Sequence, residues 1–110
     1  MIKFYSYFFT RQDISPEQQV VQTAHAALCL GVRAGEAGTK IDPDTTHFAV
    51  IGVRDLHGIL AVQEILDRFD FDYEIFYESD LKDEPTSIAV YPIPQHSRGV
   101  LRAFNPLKIR

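Results

Sequence analysis

Residues 2 to 9 read IKFYSYFF, and their apolar groups fall on both parities: Ile2, Phe4 and Phe8 with Ser6, and Tyr5, Tyr7 and Phe9 with Lys3. Alternate side chains of a strand point to opposite faces, so a strand apolar on both parities must be covered on both sides. A chain of 110 residues has room for one hydrophobic core. The strand is therefore expected at the centre of a sheet with helices on either face. Ser15-Pro16-Glu17-Gln18 then opens a helix, with Ser15 as cap, Pro16 at the first helical position and Gln18 completing a capping box. It is expected to run to about Arg33 and stop near Gly35. After a Gly-, Asp- and Thr-rich loop, residues 47 to 53 (HFAVIGV) read as a buried strand. Asp55 caps a second helix over 56 to 69, whose apolar stripe is Leu56, Ile59, Leu60, Val62, Ile65, Leu66 and Phe69. Residues 72 to 78 and 86 to 92 complete the order βαβαββ. The expectation is a single three-layer α/β domain over residues 1–110, a mixed four-stranded sheet with helices on its faces. Residues 94–110 form a basic tail with a short helical turn around Val100 to Phe104.

Charge is distributed unevenly. All fifteen carboxylates lie at or before Glu84, against seven cations in residues 1 to 94, whereas the tail holds Arg98, Arg102, Lys108 and Arg110 and no acid. The body is thus −8 and the tail +4. A nucleic-acid binder ordinarily presents the opposite surface. The tail is expected to dock on its own acidic body or on that of a second subunit in a homodimer, with a grip on RNA as the other reading. The opening residues carry no secretory pattern, no apolar run has the length of a membrane span, and the single Cys29 forms no internal disulfide, so the reading is cytoplasmic.

On the first helix, 100° per residue places Val20, Val21, Ala24, Ala27, Leu28 and Gly31 together, the face expected against the sheet. Gln18, Gln22, His25 and Cys29 run along the margin of that face, where they either line a cleft or form the ordinary edge of an amphipathic helix. Tyr5, Tyr7, Tyr73, Phe76 and Tyr77 either line such a cleft beside His25 or belong to the core. His47, His57 and His96 show no ligand spacing, and the glycines at 31, 35 and 38 match no phosphate-binding fingerprint, so neither metal nor cofactor is expected.

Arg11-Gln12-Asp13-Ile14 followed by Gln22-Thr23-Ala24-His25-Ala26 resembles the start of the type II peptidyl-tRNA hydrolase family, whose first strand ends near Arg-x-Asp-Leu and whose helix carries Gln-x-x-His-Ala. Thr86-Ser87-Ile88-Ala89-Val90-Tyr91-Pro92 is similar to that family's last strand, and the order of elements agrees, so the likeness spans about residues 2 to 93. Two departures fall on the chemistry. Gln18 stands where the family has a lysine, and Tyr77-Glu78-Ser79-Asp80-Leu81 keeps a carboxylate of the family's Asp-Ala-Gly-x-Thr segment without its Gly or Thr.

The resemblance implies hydrolysis of the ester between a peptidyl group and tRNA. Asp80 or Glu78 would hold water, His25 would orient that carboxylate or act as base, and Gln22 would donate an amide hydrogen bond. Gln18, Arg11 and Glu78 would meet the substrate. The departures leave a second reading, a catalytically inactive module of the same fold that holds a small-molecule ligand or a protein partner.

Overall fold

The computed structural model describes residues 2 to 102. The elements are β1 (Phe4–Arg11), α1 (Pro16–Glu36), β2 (His47–Val53), α2 (Leu56–Arg68), β3 (Tyr73–Glu78), β4 (Glu84–Val90) and β5 (Ile93–Pro94), with single 3₁₀ turns at Ser79–Leu81 and Gln95–Ser97. The chain is an α/β domain around a mixed sheet of order β2-β1-β4-β3. β5 is a fifth strand beyond the four expected, pairing antiparallel with the start of β1 through Phe4↔Pro94 and Tyr5↔Ile93. β2 runs parallel to β1 in the register Phe8↔Val50, and β4 runs antiparallel to both β1 and β3. No helix among the described residues is long and apolar enough to cross a membrane.

The two parities of β1 behave as a doubly covered strand requires. Tyr7 and Phe9 pack with Ile59, Val62 and Leu66 of α2, whereas Phe8 packs with Ala26 and Leu30 of α1. The helices thus lie on opposite faces and make three layers. Cross-strand partners extend each layer: Ile88 and Val90 join the α2 side and Ala89 the α1 side.

Ser15 caps α1, its side chain accepting the N–H of Gln18 at 3.2 Å, and Asp55 caps α2 by accepting the N–H of Gly58 at 3.2 Å. The capping box is not closed, because the side chain of Gln18 turns along the helix to Gln22. α1 also runs past Gly35. Gly31 and Gly35 are helical, and the glycine that adopts a left-handed φ, +73°, is Gly38, where Thr39 donates back to the carbonyl of Ala34.

The larger correction concerns which face of α1 is buried. Gln22, Ala26, Leu30 and Ala34 face the sheet, while Val20, Val21, Leu28 and Val32 are exposed. The sheet takes the stripe that holds a glutamine because polar partners wait for it there, and the more hydrophobic stripe looks outward. α2 loses two members of its expected stripe in the same way, since Leu60 and Phe69 are exposed. In the tail, Leu101 enters the α2-side core. The guanidinium of Arg98 lies 3.8 Å from the Tyr5 ring centroid and donates to the Tyr7 hydroxyl at 2.8 Å, so its partners are aromatic and not the acids expected. Lys108, Arg110 and the end of the expected turn at Phe104 lie outside the described residues.

Candidate functional site

At one end of the sheet β1 and β3 finish, β4 begins and α1 starts, so four chain segments bring polar groups together. Gln22 is at the centre. Its side chain is 1% exposed, and a buried amide needs partners for both its ends. Oε1 accepts from the Thr86 hydroxyl at 2.6 Å, while Nε2 donates to Glu78 Oε2 at 2.7 Å and to Gln18 Oε1 at 3.1 Å. The amide cannot be turned over, because an ionised carboxylate only accepts and the atom facing Glu78 must be the NH₂.

The Thr86 contact depends on a break in the ladder. Between Phe76 and Tyr77 the β3–β4 register shifts, with Phe76 opposite Ser87 and Tyr77 opposite Pro85. Thr86 is the unpaired residue of this bulge, and a bulge re-aims a side chain that strict alternation would send to the other face. Alternation groups Thr86 with Ile88 and Val90, which face α2, so no sequence pattern points to it as a partner of Gln22. A second hydroxyl chain anchors the same turn of helix: Thr10 Oγ1 lies 2.6 Å from Thr23 Oγ1 and 2.8 Å from Ser87 Oγ, and Thr23 donates to the carbonyl of Gln19 at 2.7 Å.

Glu78 is the carboxylate of the cluster. The amide of Gln22 and then the main-chain N–H of Asp80, 3.3 Å from Oε1, hold its pKa below the ordinary 4.5, with a smaller contribution from nearby His25. It is therefore ionised at neutral pH. Asp80 meets the cluster through its backbone, and its exposed side chain has no hydrogen-bonding role there. The His25 imidazole stacks on Phe76, ring centroids 4.5 Å apart and planes within 6°. Phe76 is the one member of the expected aromatic lining that reaches His25. Tyr5, Tyr7 and Tyr73 pack on the α2-side core, as strand alternation dictates, and Tyr77 is exposed.

Arg11 stands beside the cluster but is otherwise engaged. Nε and Nη2 donate to the two oxygens of Asp13 at 2.9 and 2.7 Å, and Nη1 donates to Glu84 at 2.7 Å. The bidentate contact with Arg11 holds the pKa of Asp13 below the usual carboxylate value. Each guanidinium nitrogen has a partner and two carboxylates already face its charge, so Arg11 is committed within the chain. Gln22 is similarly spent, since both hydrogens of its amide nitrogen are used within the cluster. Gln22 therefore has no N–H left to donate outward, whereas the Nε2 of Gln18 has no partner among the described residues.

The structure thus joins Gln18, Gln22 and Glu78 directly, sets His25 beside them, adds Thr86, and keeps Arg11 in a separate ion triad. Among the described residues no group of three or more His, Cys, Asp or Glu side chains is placed to hold a metal ion. What the cluster offers chemically is an ionised carboxylate fixed by a buried amide, an imidazole at its flank and an unspent amide N–H₂. Compared with known proteins, the sequence matches no family model and no curated protein.

Proposed function

We propose that this cluster hydrolyses the ester linking an acyl or peptidyl group to the 3′ end of tRNA. The observation that carries the reading is the Glu78 carboxylate held ionised by the buried Gln22, beside His25. It joins the resemblance of Arg11-Gln12-Asp13 and Gln22-Thr23-Ala24-His25 to type II peptidyl-tRNA hydrolases. A carboxylate whose pKa is kept below the ordinary value is a poor proton acceptor at neutral pH and a good anchor for water. Glu78 accordingly orients the attacking water and His25 takes its proton. The hydroxide adds to the ester carbonyl carbon, and the Nε2 of Gln18 donates to the developing oxyanion. The bond to the tRNA ribose oxygen then breaks, and that oxygen receives the proton from His25. A neutral amide stabilises an oxyanion less than a lysine would, so turnover by this route is slow.

A specific observation favours the alternative, a binding module without catalysis. Arg11 is paired with Asp13 and Glu84, and Gln18 stands where the family has a cation, so neither position offers a phosphate an unpaired positive charge. One assay separates the two: release of an N-acetylated amino acid from N-acetyl-aminoacyl-tRNA, with tRNA retention measured across a salt series. Hydrolysis predicts turnover that falls by about 10²-fold or more in both Glu78→Gln and His25→Ala, with Asp80→Asn close to the parent. It also predicts retention that weakens as salt rises. Absence of turnover together with absence of retention at low salt would leave the binding module.

A further inference from the structure

We propose that the ion pair between Arg11 and Glu84 is a clasp that holds the β3–β4 turn in a strained form and thereby fixes where Glu78 stands, which makes both of them positioning residues of the cluster. The proposal deepens the hydrolytic reading and rests on it for the effect on turnover, whereas the geometry stands without it. Residues 79 to 83 join β3 to β4, and two of them in succession, Lys82 at φ +56° and Asp83 at φ +58°, are left-handed. Hairpins that need two such residues in a row favour Asn-Gly. Aspartate tolerates the conformation better than lysine does, and a lysine here carries its full steric cost. A turn free to relax would leave these φ values, and the strand ends would move with it.

The clasp takes over where the sheet stops holding β4. The β1–β4 ladder ends at Thr10↔Ser87, Thr86 is in the bulge, and Pro85 has no N–H to give. Beyond that point the start of β4 is tied to β1 by Arg11, the last residue of β1. Its Nη1 donates to Glu84 at 2.7 Å and lies 3.4 Å from the carbonyl oxygen of Pro85. Asp13 takes Nε and Nη2, which fixes the plane of the guanidinium and keeps Nη1 turned to β4. Arg11 is 6% exposed, so the contact is sheltered from solvent more than a surface pair is.

Glu84 stands opposite Glu78 in the β3–β4 register, and the main-chain N–H of Asp83 donates to the carbonyl of Glu78 at 3.1 Å. A shift of Glu84 therefore carries Glu78 with it, while Gln22 is buried and anchored to Thr86 and does not follow. Two like charges directly opposite each other destabilise a strand pair. This pair persists because each carboxylate has its own donor, Arg11 for Glu84 and Gln22 for Glu78.

Titration of the Glu78 carboxyl by side-chain NMR on the full chain tests the proposal, because position and charge predict opposite signs. Glu84→Ala opens the clasp and leaves Arg11 its pair with Asp13. If Glu84 anchors the turn, Glu78 drifts from the Gln22 amide and its pKa rises toward the ordinary 4.5. If Glu84 acts only as a neighbouring negative charge, its removal lowers the pKa further. The second variant, Lys82→Asn with Asp83→Gly, relieves the turn and removes one charge of each sign. It should raise the melting temperature by several degrees. Combined with Glu84→Ala it should bring the Glu78 pKa back below the ordinary value. Glu84 is partly exposed at the start of its strand, so the far-ultraviolet circular dichroism should not change. Under the hydrolytic reading turnover follows the same order, falling roughly 10- to 100-fold in Glu84→Ala and recovering in the combination. A Glu78 pKa that falls or stays in Glu84→Ala overturns the proposal, as does a combination that fails to restore it. The expected Glu78 shifts in a chain without any turnover uphold the clasp and overturn the hydrolytic reading instead.

Discussion

The two faces of the sheet are built on different principles. On the α2 side, eleven buried residues, among them Phe9, Ile59, Leu66, Ile88 and Leu101, form one continuous apolar cluster. On the α1 side the buried apolar cluster is Phe8, Ala26, Leu30 and Ala89, and much of the remaining contact is polar: Gln22 with Thr86 and Glu78, and Thr10 with Thr23 and Ser87. Apolar contact is non-directional and tolerates small shifts, whereas a hydrogen-bonded cluster holds its members to tenths of an ångström. The chain therefore keeps its bulk stability on one face and its positioned chemistry on the other. A helix attached by small residues and hydrogen bonds can also leave its more hydrophobic stripe free for something else.

The largest effect that would break this comparison is a matched pair of truncations. Leu66 is fully buried under α2, and Leu30 is buried on α1 but borders the open groove. Leu66→Ala should cost about 4 kcal/mol of unfolding free energy and Leu30→Ala about 2 kcal/mol, since a side chain with open space beside it loses fewer contacts and leaves a smaller enclosed cavity. Chemical denaturation of both variants in the same buffer and at the same protein concentration reads the difference directly. Equal losses would mean that the α1 face contributes as much apolar stabilisation as the α2 face, and the contrast would fail.

Next in size is the hydrogen-bonded centre. Gln22→Leu keeps roughly the volume but leaves the Thr86 hydroxyl only its long contact, 3.4 Å, with the Phe76 carbonyl and removes the donor to Glu78. The loss should be about 1 to 2 kcal/mol, which is the cost of unpaired buried polar groups and not of a cavity. A second substitution, Thr86→Val, removes that hydroxyl and should recover part of that stability while leaving Glu78 unheld. Recovery of stability without recovery of turnover or ligand retention is the expected signature of a positioning residue. Full additivity of the two losses would show that Gln22 and Thr86 do not act together.

The same contrast explains what could be read from the residues. The strand apolar on both parities, the caps at Ser15 and Asp55, and the helix–strand alternation are local signals, and each corresponds to an element of the fold. The α2-side core follows from parity and helical period, because apolar contact alone decides it. The orientation of α1 does not. Hydrophobicity would turn Val20, Val21 and Leu28 to the sheet, yet the sheet presents Thr10, Ser87 and Thr86 where this helix lands, and those hydroxyls select Gln22 and Thr23. Thr86 itself was invisible because a single extra residue in β4 turns it to the α1 face. Gln18, Gln22, His25 and Glu78 were legible as a group only through their spacing and the family resemblance, and Arg11 gave no sign that Asp13 and Glu84 would both pair with it.

The smallest effect expected is a pH dependence confined to the polar face. Glu78 is held below its ordinary 4.5 chiefly by the Gln22 amide, and Asp13 below its ordinary 3.8 chiefly by Arg11. A carboxylate whose pKa is depressed by folding stabilises the native state above its unfolded pKa, and that contribution is lost as pH falls through the folded pKa. The window therefore opens near pH 4.5 and deepens below 3.8. Thermal unfolding of the parent and of Glu78→Gln between neutral pH and pH 3 isolates one of the two groups. The variant keeps an acceptor for Gln22 without the charge, so it should melt slightly below the parent at neutral pH and converge with it in acid. The deficit of Leu66→Ala, by contrast, rests on apolar contact and should stay constant over the same range. A Glu78→Gln gap that is unchanged in acid would mean that the carboxylate is not held by its charge, and would move the acid sensitivity of this face to the Arg11 triad.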